Sequence, residues 1–107
     1  KRLRGRPLGY HGYDIGGPRW GWIGEVKDGY PGASAWTVLR KALDQCDRIA
    51  AERGLLSRVR TFAVFHRFGT RYDQGLVLFR DDNGELRQME AWEFRLYLEE
   101  HGVVRDD

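Results

Sequence analysis

A chain of 107 residues is the length of one domain, and this one has an ordinary apolar share of 41%, four tryptophans and a formal net charge of +2. No apolar run approaches the roughly 20 residues needed to cross a bilayer, which excludes a membrane-spanning reading, and the single cysteine, Cys46, excludes an internal disulfide. With no signal-peptide pattern either, the composition predicts a protein of the reducing cytoplasm.

The charge is uneven along the chain. Residues 1–27 hold six Lys or Arg against Asp14 and Glu25, for +4, and residues 28–80 hold nine against five, again +4. Residues 81–107 hold three against nine, for −6, so a polyanion would be drawn to the first three quarters and repelled by the last.

The opening 1–17 is rich in Arg and Gly and reads as mostly irregular, its only local order a short strand or an arm, with a basic arm at about 1–12. Residues 20–27 have the aromatic and β-branched character of a strand (Trp20, Trp22, Ile23, Val26), closed by the turn signals Asp28-Gly29 and Pro31-Gly32. Between 34 and 53, Trp36, Leu39, Leu43, Cys46 and Ala50 recur at threes and fours, one face of a helix, with Ser34 as N-cap and Gly54 placed to end it. Residues 59–68 and 75–80 read as two core strands that pair, and Asp82-Asn83-Gly84 as the turn into a short strand at 85–88. Residues 90–101, with acids near their start and Gly102 after them, read as a second helix. The expected fold class is therefore α/β, a small mixed β-sheet flanked by helices, as a single domain over 1–107.

Asp14, Glu25 and Lys27 are the residues with chemical promise. Positions two apart on a strand share a face, so Glu25 and Lys27 stand side by side, and the backbone carbonyl of Val26 between them adds a hard oxygen. Hydrolysis of a phosphodiester asks for a divalent cation on oxygen ligands, an activated water and positive charge near the phosphorus, which two carboxylates and a lysine can supply. On residue types alone a second reading stands beside it: Glu25 and Lys27 as a solvated pair on an edge strand, with Asp14 capping a turn.

The stretch Tyr13-Asp14-Ile15-Gly16-Gly17-Pro18, followed by Trp22-Ile23-Gly24-Glu25-Val26-Lys27-Asp28, resembles the PD-(D/E)xK nuclease superfamily, in particular the small Holliday-junction resolvase-like proteins of phages and actinobacteria. The likeness covers roughly residues 10–68, with Trp36 early in the following helix as in that family. Tyr13 stands where the family often has proline, and the acid-bearing helix with which the family opens either lies upstream of Lys1 or is lost in a reduced or inactive descendant. The resemblance implies a PD-(D/E)xK-like core in which Asp14, Glu25 and the Val26 carbonyl bind Mg²⁺, with Mn²⁺ substituting, while Lys27 positions the attacking water or stabilises the transition state. It implies a metal-dependent endonuclease acting on DNA, branched DNA included, as a homodimer in a bacterial or phage-infected cell. Gln45, on the helix, lies where some relatives place a supporting glutamine.

The alternative is a non-catalytic DNA-binding or anti-defence protein of a phage or mobile element. For either reading, Arg2, Arg4, Arg6, Arg19, Arg67 and Arg71 are the expected DNA contacts, with Arg58, Arg60 and Arg80 as further candidates. Arg4-Gly5-Arg6-Pro7 has the core of an AT-hook but lacks basic residues after the proline, so a phosphate-contacting arm is the better reading. His11 is close enough in sequence to Asp14 to assist proton transfer, although a surface histidine is the plainer reading. His66 is expected on a strand face, His101 at a helix end, Cys46 in the helix core, and Trp20, Trp22 and Trp36 in the core rather than stacking on bases.

Overall fold

The computed structural model describes residues 15–17, 20–30, 32 and 34–101. Strand β1 (Ile15–Gly17) pairs antiparallel with β2 (Trp22–Gly29), and helix α1 (Ala35–Glu52) then carries the chain to β3 (Arg60–Arg67), which lies parallel to β2. After a 3₁₀ turn at Tyr72–Gln74, β4 (Leu76–Arg80) and β5 (Leu86–Glu90) add antiparallel strands, and α2 (Ala91–Glu100) follows. The sheet order is β1-β2-β3-β4-β5, so the fold is α/β with a five-stranded mixed sheet and two helices.

Alternation along β3 decides what each helix covers. Ala63 and Phe65 face one way and pack with Leu39, Ala42 and Leu43 of α1 and Leu78 of β4. Phe62 faces the other way and packs with Trp22, Val77 and Phe79 against Phe94, Tyr97 and Leu98 of α2. The second core is mostly aromatic, with the Trp22 and Phe94 rings 5.5 Å apart at 83° and the Phe62 and Phe94 rings 5.0 Å apart.

Local signals in the sequence account for the helix ends. The Ser34 hydroxyl accepts from the Thr37 amide, satisfying one orphan donor of α1, and Gly54 just beyond its end adopts φ +67°. At α2 the Glu93 carboxylate accepts from the Glu90 amide, and the His101 ring bonds the Tyr97 carbonyl at 2.8 Å, the helix-end role expected of it. Asp47 ties α1 to the sheet: its carboxylate accepts from the Thr61 hydroxyl and, at 2.9 Å, from the Arg80 guanidinium. Asp47→Ala strands the buried Thr61 hydroxyl, so the urea midpoint should fall by the equivalent of about 1–3 kcal/mol.

Two sequence expectations need correction. The turn placed at Asp28-Gly29 is strand: Gly29 closes β2, its carbonyl accepting from the Phe68 amide at 2.8 Å, while the Asp28 side chain is bonded to His66 of β3. β1, by contrast, is the short strand that the opening stretch allowed, at three residues. Trp22 is in the core as expected, but Trp36 is half exposed, because it falls beside the buried stripe of α1 rather than on it, and Trp20 is only partly buried.

Candidate active site

Glu25 and Lys27 lie on the α1 side of β2, opposite Ala63 and Phe65 of β3. Their side chains share that face, with Lys27 Nζ 4.0 Å from Glu25 Oε1. They differ in exposure: the Glu25 side chain is 4% accessible and that of Lys27 42%. A carboxylate is costly to bury, and the ammonium beside it offsets part of that cost while itself reaching solvent. The solvated-pair reading does not describe this Glu25, nor is β2 an edge strand, since it has β1 on one side and β3 on the other.

Hydrogen bonding fixes the direction of the Val26 carbonyl. The Gly21 carbonyl accepts from the Arg60 amide at 2.7 Å and the Gly29 carbonyl from the Phe68 amide at 2.8 Å, so carbonyls of odd-numbered residues along β2 point toward β3. Alternation then directs the Val26 carbonyl to the β1 side. On that side Ile15, which follows Asp14 in the chain, pairs with Gly24, which precedes Glu25. Asp14 itself lies outside the described residues, as do His11, Arg2, Arg4, Arg6 and Arg19. Among the described residues no group of three or more His, Cys, Asp or Glu is placed to hold a metal ion. The donors that are present, a carboxylate and a backbone carbonyl on adjacent residues, are hard oxygens of the kind Mg²⁺ and Mn²⁺ take.

Two tight approaches set the hairpin that carries these groups. Gly16 has φ +87°, and a Cβ there would collide with the Trp22 carbonyl oxygen. A Cβ at Gly24 would run into the buried Phe62 ring, its Cε1 being 2.8 Å away, so the residue before Glu25 lies flat against the aromatic core.

Gln45 is partly buried on α1, one turn before Ile49, which packs with Ile23 of β2, whereas Asp47 on the opposite flank reaches β3 and β4. Gln45 is therefore on the flank of α1 that faces the Glu25 strand. The arginines divide into two groups. Arg60 and Arg80 sit at the end where β3 begins and β4 finishes, engaged with Asp82 at 2.8 Å and Asp47 at 2.9 Å. Arg67 closes β3 at the opposite end, with Arg71 just beyond it. β3 rises about 23 Å between them, so these four arginines do not form one face.

Sequence reasoning missed the cluster at that far end, because Asp28 read as a turn residue. The buried His66 ring bonds Asp28 Oδ1 through Nδ1 at 2.9 Å and the Thr70 carbonyl through Nε2 at 2.7 Å, and stacks on Tyr72 with centroids 4.3 Å apart. A carbonyl and a carboxylate both accept, so the imidazolium satisfies both contacts. The His66 pKa is raised, first by the Thr70 carbonyl, with burial opposing and Asp28 adding to the rise. The stability His66 contributes is therefore full below the ordinary value of 6.5 and is lost as pH climbs through its raised folded value. Urea midpoints from pH 5 to 9 should show this loss in the wild type, and His66→Gln should flatten it.

The chain matches no known protein family, no curated protein and no solved structure. No helix among the described residues is long and apolar enough to cross a membrane.

Proposed function

We propose that the chain is a divalent-metal-dependent DNA endonuclease with a PD-(D/E)xK-like core, acting on branched DNA in the manner of a Holliday-junction resolvase. The observation that carries the reading is the buried Glu25 carboxylate beside the solvent-reaching Lys27 on one face of β2, 4.0 Å apart. The connectivity is consistent with it: an antiparallel hairpin, then a helical crossover into a parallel strand, with Glu25 and Lys27 on the hairpin strand that borders the crossover.

In this reading Asp14, Glu25 and the Val26 carbonyl hold Mg²⁺ or Mn²⁺. The bound ion supplies Lewis-acid polarisation of the scissile phosphate and lowers the pKa of a coordinated water. Lys27 directs its ammonium to the attacking water or to charge developing on the phosphate oxygens, and Glu25 holds that ammonium in place. Gln45 supports the site from α1, and His11 is a candidate for proton transfer from outside the described residues. Arg67 and Arg71, with Arg2, Arg4, Arg6 and Arg19 of the N-terminal segment, contact the DNA backbone. A homodimer in the cytoplasm of a bacterial or phage-infected cell would bring two sites to one junction.

The test is cleavage of end-labelled duplex, single-stranded and four-way-junction DNA in Mg²⁺, Mn²⁺ or EDTA. Metal-dependent cutting with a preference for the junction supports the proposal; no cutting of any substrate refutes it. A second reading, a non-catalytic DNA-binding or anti-defence protein of a phage or mobile element, draws on the arginines and exposed rings at the end of β3, which need no metal to hold DNA. Binding that EDTA leaves unchanged, without cutting, selects it.

A further inference from the structure

Helix α2 turns one face to the sheet and leaves the other uncovered among the described residues. Phe94, Tyr97 and Leu98 are buried in the aromatic core, so the pitch of the helix puts Trp92, Glu93, Leu96, Glu99 and Glu100 on the outside. Trp92 is 48% exposed and Leu96 49%, and as residues four apart they stand next to each other, an apolar ridge with the three acids around it. The Trp92 indole N–H donates to Glu90 Oε1 at 2.7 Å, which holds the ring on that ridge.

Two of these acids stand where they work against the helix. Glu99 and Glu100 end α2, at the negative pole of its dipole, and no basic residue occupies that last turn. No ion pair among the described residues engages Glu93, Glu99 or Glu100, and Arg95 is the one cation of the helix. An exposed tryptophan and leucine ringed by carboxylates fit a cationic segment that carries apolar residues. A second α2 would bring acid against acid, and the phosphates of DNA would be repelled in the same way.

The chain carries such a segment. Residues 1–8, outside the described residues, read Lys-Arg-Leu-Arg-Gly-Arg-Pro-Leu, four cations with Leu3 and Leu8 among them. Topology brings the two together: β1 runs antiparallel to β2 and β5 runs the same way as β2, so the chain enters β1 at the end of the sheet where β5 stops and α2 begins. Ile15, the first residue of β1, packs against the core that α2 covers. The fourteen residues before it reach at most about 50 Å, well beyond the roughly 19 Å between β1 and β5. Exposed ion pairs are individually weak, but an arm on the same chain meets the face at an effective concentration on the order of millimolar, so a contact of only millimolar strength is about half occupied. We propose that the outer face of α2, the Trp92 and Leu96 ridge with its acids, is the docking site of the chain's own basic segment 1–8, which leaves it when the same arginines engage DNA. The release step rests on the DNA-binding reading; the docking does not.

Carbodiimide coupling of the full chain, at low micromolar concentration and low salt without added metal, tests the contact. The reagent joins a Lys1 amine to a carboxylate touching it as an amide and takes up the water lost, and peptide mass spectrometry of the monomer reads which carboxylate was used. Lys1 should couple chiefly to Glu93, Glu99 or Glu100, with a yield that falls at least about five-fold in about 0.5 M NaCl. Arg4→Gln combined with Arg6→Gln, which leaves Lys1 in place, should lower the yield, and so should Leu96→Ala, a change at an exposed position that leaves the core intact. No coupling from Lys1, coupling to acids elsewhere or only to another copy of the chain, or an α2 yield that salt leaves unchanged would overturn the docking. Added duplex DNA should lower the yield as it draws the arm away. Coupling to α2 that saturating DNA does not change keeps the docking and refutes the DNA contacts of this segment. A chain that cuts DNA in Mg²⁺ yet never couples Lys1 to α2 refutes the docking and keeps the nuclease.

Discussion

Glu25→Gln should reduce metal-dependent cleavage by at least about 100-fold while leaving the folded structure intact. The amide has nearly the shape of the carboxylate, so β2 can keep its place between β1 and β3; what goes is the negative charge. That charge is the part a divalent cation needs, and a neutral amide oxygen is a far poorer ligand for Mg²⁺. Loss of the anion also leaves Lys27, 4.0 Å away, without its partner. Lys27→Ala should cost a comparable factor by a different route. It removes the ammonium from the transition state but leaves the oxygen ligands, so Mn²⁺ binding measured by calorimetry should survive in Lys27→Ala and weaken in Glu25→Gln. Matched losses of metal affinity in both would contradict the division of roles between them.

Gly16→Ala should be the most destabilising single-methyl change near the site, by about 3 kcal/mol or more in denaturant unfolding. Two penalties act together. A residue with a Cβ is strained at φ +87°, at about 1–2 kcal/mol, and the new methyl would meet the Trp22 carbonyl oxygen, with Ile23 Cα only 3.1 Å from it. Those neighbours are backbone of β2, paired on its other side to β3, so they cannot yield as a flexible side-chain tip would. Relief must come from opening the β1–β2 hairpin, and this would separate the segment entering at Ile15 from the strand that carries Glu25. Cleavage should therefore fall in Gly16→Ala even under conditions where the rest of the sheet is still folded. A Gly16→Ala protein as stable and as active as the wild type would show that the hairpin does not position the site.

Much of the fold was legible because its long elements announce themselves. The 34–53 stripe became α1 from Ala35 to Glu52 with the Ser34 cap in place, and the paired strands and the second helix were displaced by a residue or two at most where they began. What stayed hidden was short or depended on contacts distant in sequence. Three residues of β1 carry no period, and the continuation of β2 through Asp28 and Gly29 is set by His66 and Phe68, nearly 40 residues away. Glu25 and Lys27 were legible as same-face neighbours from strand geometry alone. Sequence could not show that one is buried and the other is not, since that depends on α1 and on β1 flanking the strand. The contact between the Tyr30 and Phe68 rings was hidden for the same reason: they follow β2 and β3 and meet only when those strands pair in parallel.

Whether Glu25 and Lys27 form a metal-dependent cutting site is decided with a four-way junction and two proteins purified side by side, the wild type and Glu25→Gln. Each is assayed in Mn²⁺, after chelation, and after Mn²⁺ is restored. The wild type should cut, stop on chelation and resume when the ion returns, while Glu25→Gln, folded by circular dichroism, should stay at least about 100-fold slower throughout. Equal cutting by the two proteins, or no cutting by the wild type in either Mn²⁺ step, would contradict a cutting site there.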